Sequence, residues 1–294
     1  MRADEWSLTY PGTEIVFGSY ETPIFNMTTP SVSDSELRVA DGARARTDGV
    51  SFGSDFRGGH TIAFELGVRG NGEADVRANV AAVARAWRAD TIRSTPGAVA
   101  ELRSNYAGRE LVSYGRPRRF EPNQTSAKSG LSTVVADFAC VDDVFYGATV
   151  NDVYINFVPS ASGGLIAPLA SPLSTTESSD RSIGLTVDSD LPVWPVVTIF
   201  GPITNPIVEV VGLFRFELNH SLNHDETIVI DTRSWKRTVI LNGIGSIPGH
   251  FFRTSTRLSK ASIPPGSYEL ALRGLDVTGT SHARLSWQSA HPSI

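Results

Sequence analysis

The chain has 294 residues, 40% of them apolar and 19% charged, with 26 glycines and 17 prolines; this is the composition of a turn-rich globular protein of one large domain or two, and it excludes a disordered or fibrous chain. The net charge is −5, from 26 basic and 31 acidic residues, which excludes a domain that grips nucleic acid by neutralising phosphates. No apolar run reaches the length of a membrane span, so no membrane insertion is expected.

The opening MRADEWSLTYPG lacks the basic head and apolar core of a signal peptide, and the single cysteine, Cys140, has no intrachain partner. Folding in a reducing cytoplasm is therefore expected, where the N-x-S/T triplets at Asn26, Asn123 and Asn219 carry no meaning. Lys128, Lys236 and Lys260 are the only lysines, an arginine bias that suggests a GC-rich coding source.

The first half reads as strands around one helix. Strand patterns fall at 14–17, 61–68, 99–102, 110–114 and 132–141. In the last of these, Val134, Ala136, Phe138 and Cys140 share a face by the two-residue period, which puts the thiol in a core as a structural cysteine. Between the second and third strands, the segment 73–89 repeats Val76, Val80, Val83, Ala84 and Trp87 at helical spacing, with Arg77, Arg85 and Arg88 off the stripe. Asn71 is the expected cap, Glu73 and Asp75 suit the positive end of the helix dipole, and Pro96 lies beyond the end.

From 149 onward strands follow without a helix, at 153–158, 183–187, 196–200, 207–211, 213–218, 227–231, 235–241, 268–273 and 283–287. Gly, Pro, Asn and Asp turns separate them, the pattern of an antiparallel sandwich or jelly roll. The stretch 161–182 is small, polar and expected to be a linker or a long exposed loop. The apolar run PVVTIFGPITNPIVEVVG, 195–212, reads as a hairpin folded about its Gly-Pro and Asn-Pro.

Chemistry is sparse. GVRGNGEAD looks like a dinucleotide-binding turn, but Asp75 stands at the third glycine position and no alternating α/β pattern follows. His220 and His224 in NHSLNHDE have a metal-ligand spacing that needs a helix, whereas their flanks are strands. The chain has neither a G-x-S-x-G elbow nor an H-E-x-x-H motif. Asp142-Asp143 and Asp188-x-Asp190 are the acid pairs a glycosidase reading would use, and a polysaccharide-active enzyme is the weakest of three readings. Arg116, Arg118 and Arg119 form a cluster for phosphate or a partner's carboxylates, or else an exposed edge. Trp194, Trp235 and Trp287 are the candidates for stacking on a sugar, with Trp287 alternating into the core. No catalytic, cofactor-binding or metal site is expected, and no cofactor.

The order of these segments resembles a known family, the distal tail proteins (Dit) of long-tailed bacteriophages, also described as siphovirus minor tail proteins. PVVTIFGPITNPIVEV is similar to that family's strand, Gly-Pro, short turn and Asn-Pro; TIVIDT is similar to its strand ending in Asp-Thr; IPPGSYELALRGLDVTGTSHARLSWQ resembles its closing Pro-Gly turn and last two strands. LSTVVADFACVDDVFYG resembles its strand, acidic turn, aromatic and Tyr-Gly, with Val144-Phe145-Tyr146 in place of the usual Pro-aromatic-Tyr. The resemblance implies a mainly β protein, with a β-sandwich-like domain with one helix over 1–148 and a galectin-like antiparallel sandwich over 149–294. It implies a structural, non-enzymatic virion protein that forms a hexameric ring at the distal tail tip after assembly in the host cytoplasm. That ring would join the major tail tube protein to the hub and other minor tail or fibre proteins, with DNA passing through its lumen without specific binding. Closure of a ring demands two different complementary patches per subunit, expected in strands of the first domain with 116–119 near the contact. The alternative is a sandwich that binds host cell-wall glycan.

Overall fold

The computed structural model describes residues 2–106, 108–123, 125–157 and 182–294. The chain is mainly β with antiparallel pairing, and it divides into two compact units: Met1–Ala148 with His291–Ile294, and Thr149–Ala290. The strand Phe145–Asn156 carries the chain from the first to the second. The stretch 161–182, expected as a linker or loop, lies outside the described residues but for Ser182.

In the first unit, Thr13–Phe17 pairs with Glu5–Tyr10, which pairs with Ala100–Tyr106. The next strand, Arg109–Asn123, is three times the length its sequence pattern suggests. Its first half pairs with Ala100–Tyr106 and its second with Leu131–Cys140, and the register shifts between Pro117 and Phe120. Gly115 is the pivot: it faces Ala100 on one side and Cys140 on the other, and a Cβ there would come within 2.1 Å of the Ala139 carbonyl oxygen. Leu131–Cys140 then pairs with Thr61–Arg69, whose other edge takes Ile24–Asn26 and Ser31–Val32. The strand Glu5–Tyr10 is a further strand not among those read from the sequence, although Trp6, Leu8 and Tyr10 alternate with Glu5, Ser7 and Thr9; Ser7 is buried as well as the apolar residues.

The helix forms at Glu73–Arg88, and buries Val76, Val80, Val83, Ala86 and Trp87. Ala86 rather than Ala84 completes the stripe. Asn71 does not cap it: the N-cap is Gly72, at φ 114°, and the Asp75 carboxylate instead accepts the Asn71 backbone N–H at 3.2 Å. One further turn of helix, Asp90–Arg93, follows an Ala89 at φ 49°. Trp87 meets Phe17 and Phe64 edge to face, with ring centroids 5.6 and 6.2 Å away, and Phe64 meets Trp6 at 5.0 Å. These contacts add to the area term that buries the rings. Both polar handles nearby are satisfied, the indole N–H by the Asp137 carbonyl at 3.1 Å and the Tyr10 hydroxyl by the Ala86 carbonyl at 2.8 Å.

The described residues of the second unit form two sheets. One runs from Phe145–Asn156 through His282–His291, Val196–Phe200 and Thr227–Asp231 to Thr238–Leu241 and Gly245–Ser246. The other runs Ser182–Val187, Gly266–Leu275, Ile203–Val210, Phe214–Glu217, with Ser221–Leu222 added to Ile203–Val210. Buried residues alternate along both: Val197 and Ile199, Ile228 and Ile230, Ala283, Leu285 and Trp287 in the first; Leu185 and Val187, Val208 and Val210, Phe214 and Phe216 in the second.

The run 195–212 is not a hairpin. Val196–Phe200 belongs to the first sheet and Ile203–Val210 to the second, so the Gly201-Pro202 link, a cis peptide, takes the chain from one layer to the other. Asn-Pro makes no turn either. It sits inside Ile203–Val210 at a bulge, where Asn205 has φ 51° and the register slips between Thr204 and Ile207; a bulge tolerates both a left-handed Asn and a proline without its N–H. The expected strand 235–241 starts only at Thr238, because Lys236 and Arg237 donate their N–H groups back to the Arg233 carbonyl in a turn.

The link at Gly201 tolerates no side chain: a Cβ would lie 1.9 Å from the Asn223 carbonyl oxygen, whereas one at Gly184 would meet nothing within 4 Å. Gly201→Ala should lower the stability of the second unit by about 1–3 kcal/mol, while Gly184→Ala leaves it unchanged or slightly raised; urea unfolding of the two variants side by side checks the contrast.

Candidate functional site

Most of the residues that stand out in the sequence turn out to hold the fold. At GVRGNGEAD, a Cβ on Gly70 would come within 2.6 Å of the Asp75 side chain and 2.7 Å of the Val76 nitrogen, so the turn is closed by its own helix. His220 packs edge to face on His250 at 4.9 Å, and His224 is exposed in the loop where Asn223 donates to the Glu226 carboxylate at 2.8 Å. Among the described residues no group of three His, Cys, Asp or Glu side chains is placed to hold a metal ion. The Asp142 carboxylate accepts the Tyr146 hydroxyl at 2.7 Å, and Asp143 pairs with Arg57 at 3.4 Å.

The arginine cluster splits by role. Arg116 donates to the Ala98 and Thr95 carbonyls, both at 2.7 Å, and so straps the segment before Ala100–Tyr106 to the long strand. Arg119 pairs with Glu121 at 2.5 Å. Arg118 is exposed. Of the tryptophans, Trp287 is buried, Trp194 is half-buried, and the Arg233 guanidinium lies 5.5 Å above the ring of Trp235. Arg233 is itself held by Asp231 through a two-pronged contact at 2.5–3.2 Å. Next to it, Thr232 donates its hydroxyl to the Pro195 carbonyl at 2.7 Å, which gives the Asp-Thr pair of TIVIDT a mechanical meaning: it pins the start of Val196–Phe200.

What the sequence pattern does not single out is a surface of the first unit. Between Ser31–Val32 and Thr61–Arg69 the chain runs out and back as an arm. Leu37–Arg38 pairs with Phe56–Arg57, and Gly42–Ala43 with Val50–Ser51. Backbone bonds from Gly58 to Glu36 at 2.7 Å and from Arg44 to Gly49 at 3.2 Å extend the ladder towards base and tip. From Ser31 to Arg57 every residue except Ser35 is exposed. These four two-residue strands carry little periodicity of their own, so only the pairing identifies them. Paired residues share a face and alternate residues return to it. That rule puts Ala43, Val50 and Phe52 on one side of the outer ladder, and Leu37 and Val39 on one side of the inner ladder; the pairing slips by one residue between the two. Phe52 is 85% exposed and Phe56, towards the base, 62%.

Beside the root of the arm is an apolar cleft of about 270 Å³, lined chiefly by Trp6, Pro30, Val32, Tyr106, Phe145 and Ile294. It adjoins a wider cavity of about 510 Å³ that shares Trp6, Pro30 and Tyr106 and adds Asp4 and Glu21. At the same root His60 is 3% exposed and packs on Phe145 at 4.7 Å. Burial pulls its pKa below the usual histidine value, against the opposing pull of the Asp143 charge and the Asp142 carbonyl. Cys140 is buried too, and burial, then the Asp142 charge, push its thiol far above the ordinary range although Ser113 bonds to it.

No family model and no curated protein matches the chain. Solved structures do match, over nearly its full length. The Dit protein of phage SPP1, described as a paradigm of the hub adsorption apparatus in phages infecting Gram-positive bacteria, aligns with a TM-score of 0.60 at 11% identity, covering 97% of this chain and 99% of that one. A chain of the phage P2 baseplate in its activated conformation with Ca aligns at 0.59 and 14%, covering 99% of each, and one from the phage p2 baseplate with Sr at 0.56 and 12%, covering 96% and 97%. The fold is thus that of phage hub and baseplate proteins. Within that class it is the Dit fold, present in both of its units.

Two measurements follow from the buried groups. Native protein at pH 8 should leave Cys140 unmodified by an aromatic disulfide reagent, and release one equivalent of thiol on unfolding in guanidinium. Because the folded state resists protonating His60, its contribution to stability is in full above the ordinary histidine pKa of about 6.5 and is lost as the pH falls below it. The urea midpoint should therefore drop between pH 7.5 and 5, and His60→Phe should remove that part of the drop.

Proposed function

We propose that this chain is a structural component of the distal tail of a long-tailed phage, present in the virion as a hexameric ring that joins the tail tube to the tail-tip hub and fibres. The observation that carries the reading is the end-to-end likeness to the Dit and baseplate chains, which covers both units and leaves almost nothing of either chain over. A shared sandwich alone would carry no function, but the pairing of these two units in this order is a narrower signature. In this reading the first unit forms the ring and the second, a galectin-like sandwich, docks other tail-tip proteins. DNA passes through the lumen without specific binding, consistent with a chain of net charge −5 that has no reason to hold phosphates. The protein performs no catalysis, and assembly takes place in the host cytoplasm.

Glycan binding by the sandwich is the second reading. It needs an open aromatic face; Trp287 is buried, and of the half-buried Trp194 and Trp235 the second has the Arg233 guanidinium over one face, which makes Trp194 the first to test. Light scattering of the purified full-length protein should give six times the 31.7 kDa chain mass, with a central hole in negative stain. A monomer at every concentration, together with retention on host cell walls that Trp194→Ala abolishes, would replace the ring by the glycan reading.

A further inference from the structure

We propose that His60, Asp143 and Arg57 form a latch at the base of the arm that a single proton operates. With His60 neutral, Asp143 holds Arg57 and the base stays closed; when His60 takes a proton from solvent, Asp143 turns to the imidazolium, Arg57 is let go and the base opens. The inference goes beyond the ring reading and does not depend on it, because all three residues belong to one chain.

The three residues meet where the arm rejoins the rest of the unit. Arg57 ends the returning strand Phe56–Arg57, and His60 follows immediately before Thr61–Arg69. The imidazole is buried on Phe145, and its Nε2 is sealed from solvent with no hydrogen-bond partner among the described residues. In the neutral ring that nitrogen is a lone pair. In the cation it is an N–H with a charge behind it, and a buried charged donor without an acceptor is far more costly.

The titratable and charged groups on the elements packed against His60 are Cys140, Asp142, Asp143, Tyr146, Glu36 and Arg57. The Asp142 carboxylate is occupied by the Tyr146 hydroxyl at 2.7 Å, the Cys140 thiol is buried, and Glu36 is exposed and reaches the base through its carbonyl, which accepts the Gly58 N–H. That leaves Asp143, whose charge acts on His60. Its partner Arg57 stands 3.4 Å away with a side chain 68% exposed. Such an open pair contributes little, so an imidazolium can take the carboxylate over. Burial is the larger influence on His60 and keeps it neutral at neutral pH, which places the exchange below the ordinary histidine value of about 6.5.

Two backbone bonds report on the base, from the Gly58 N–H to the Glu36 carbonyl at 2.7 Å and from the His60 N–H to the Asp142 carbonyl at 3.4 Å. Hydrogen exchange of these amides is measured on the full-length protein at pH 7.5 and pH 5, corrected for the intrinsic effect of pH, beside that of the helix Glu73–Arg88. Wild type should lose protection at the base by about tenfold or more at pH 5, since each pH unit below the pKa of the closed ring shifts the balance by up to about tenfold. The base should exchange faster than the helix at both pH values, the mark of a local opening. His60→Gln should keep the base closed at both pH values, and Asp143→Asn should leave it open at both; His60→Phe repeats the first comparison if the glutamine variant does not fold. Equal protection in wild type at the two pH values, a loss that the His60 variant shares, a base that exchanges no faster than the helix, or an Asp143→Asn protein as protected as wild type at pH 7.5 would each overturn the latch.

Discussion

The first unit depends on one packing arrangement, the closing of a sheet around a single helix through four aromatic rings. Phe17, Phe64, Trp6 and Trp87 come from three strands and the helix, and each meets at least one other ring at an edge-to-face angle. Large buried aromatics contribute the greatest apolar area per residue and fill space with few rotatable bonds. Their positions dictate much else. Trp87 can reach Phe64 only if the helix lies across Thr61–Arg69 and Leu131–Cys140, and its N–H finds the Asp137 carbonyl there. The long strand Arg109–Asn123 must then bend past Gly115 to serve both halves of the wrap, and Arg116 holds that bend through two carbonyls.

The second unit solves a different problem, that of two sheets needing chain connections between them without exposing backbone in the interior. Gly201-Pro202 makes one such crossing, and the missing Cβ at 201 lets the Asn223 carbonyl close over it. The Thr232 hydroxyl and the Asp231–Arg233 contact then fix where the neighbouring strand ends. Polar residues in this unit are therefore spent on satisfying turns and strand ends, the ordinary requirement on buried backbone groups. Asp276 illustrates it: burial raises its pKa, but bonds from Thr278 and Ser281 outweigh that and hold its carboxyl below the usual range in a closed hairpin turn.

The residues singled out from the sequence are brought together in no reaction constellation among the described residues; they hold turns, strand ends and sheet contacts instead. The arm meets the rest of the unit at its base through the Arg57–Asp143 pair, and Gly58 bonds back to Glu36 there, while almost all of its side chains are exposed.

The sequence by itself determined the elements whose signal is local. The alternation of Val134, Ala136, Phe138 and Cys140 gave a strand with a buried thiol, the helical stripe ending in Trp87 gave the helix, and TIVIDT gave Thr227–Asp231. Only the tertiary structure decided the rest. Whether Val196–Phe200 and Ile203–Val210 pair or part depends on partners more than twenty residues away, His282–His291 and Gly266–Leu275, and no local pattern encodes that choice. The arm was illegible for a related reason: its strands are two residues long, too short for any period, and they are recognisable only once Arg38 is known to lie opposite Phe56 and Ala43 opposite Val50. Side-chain period is local physics, whereas pairing is a contest among all strands at once, and it is pairing that sets which surfaces are left open to a neighbour.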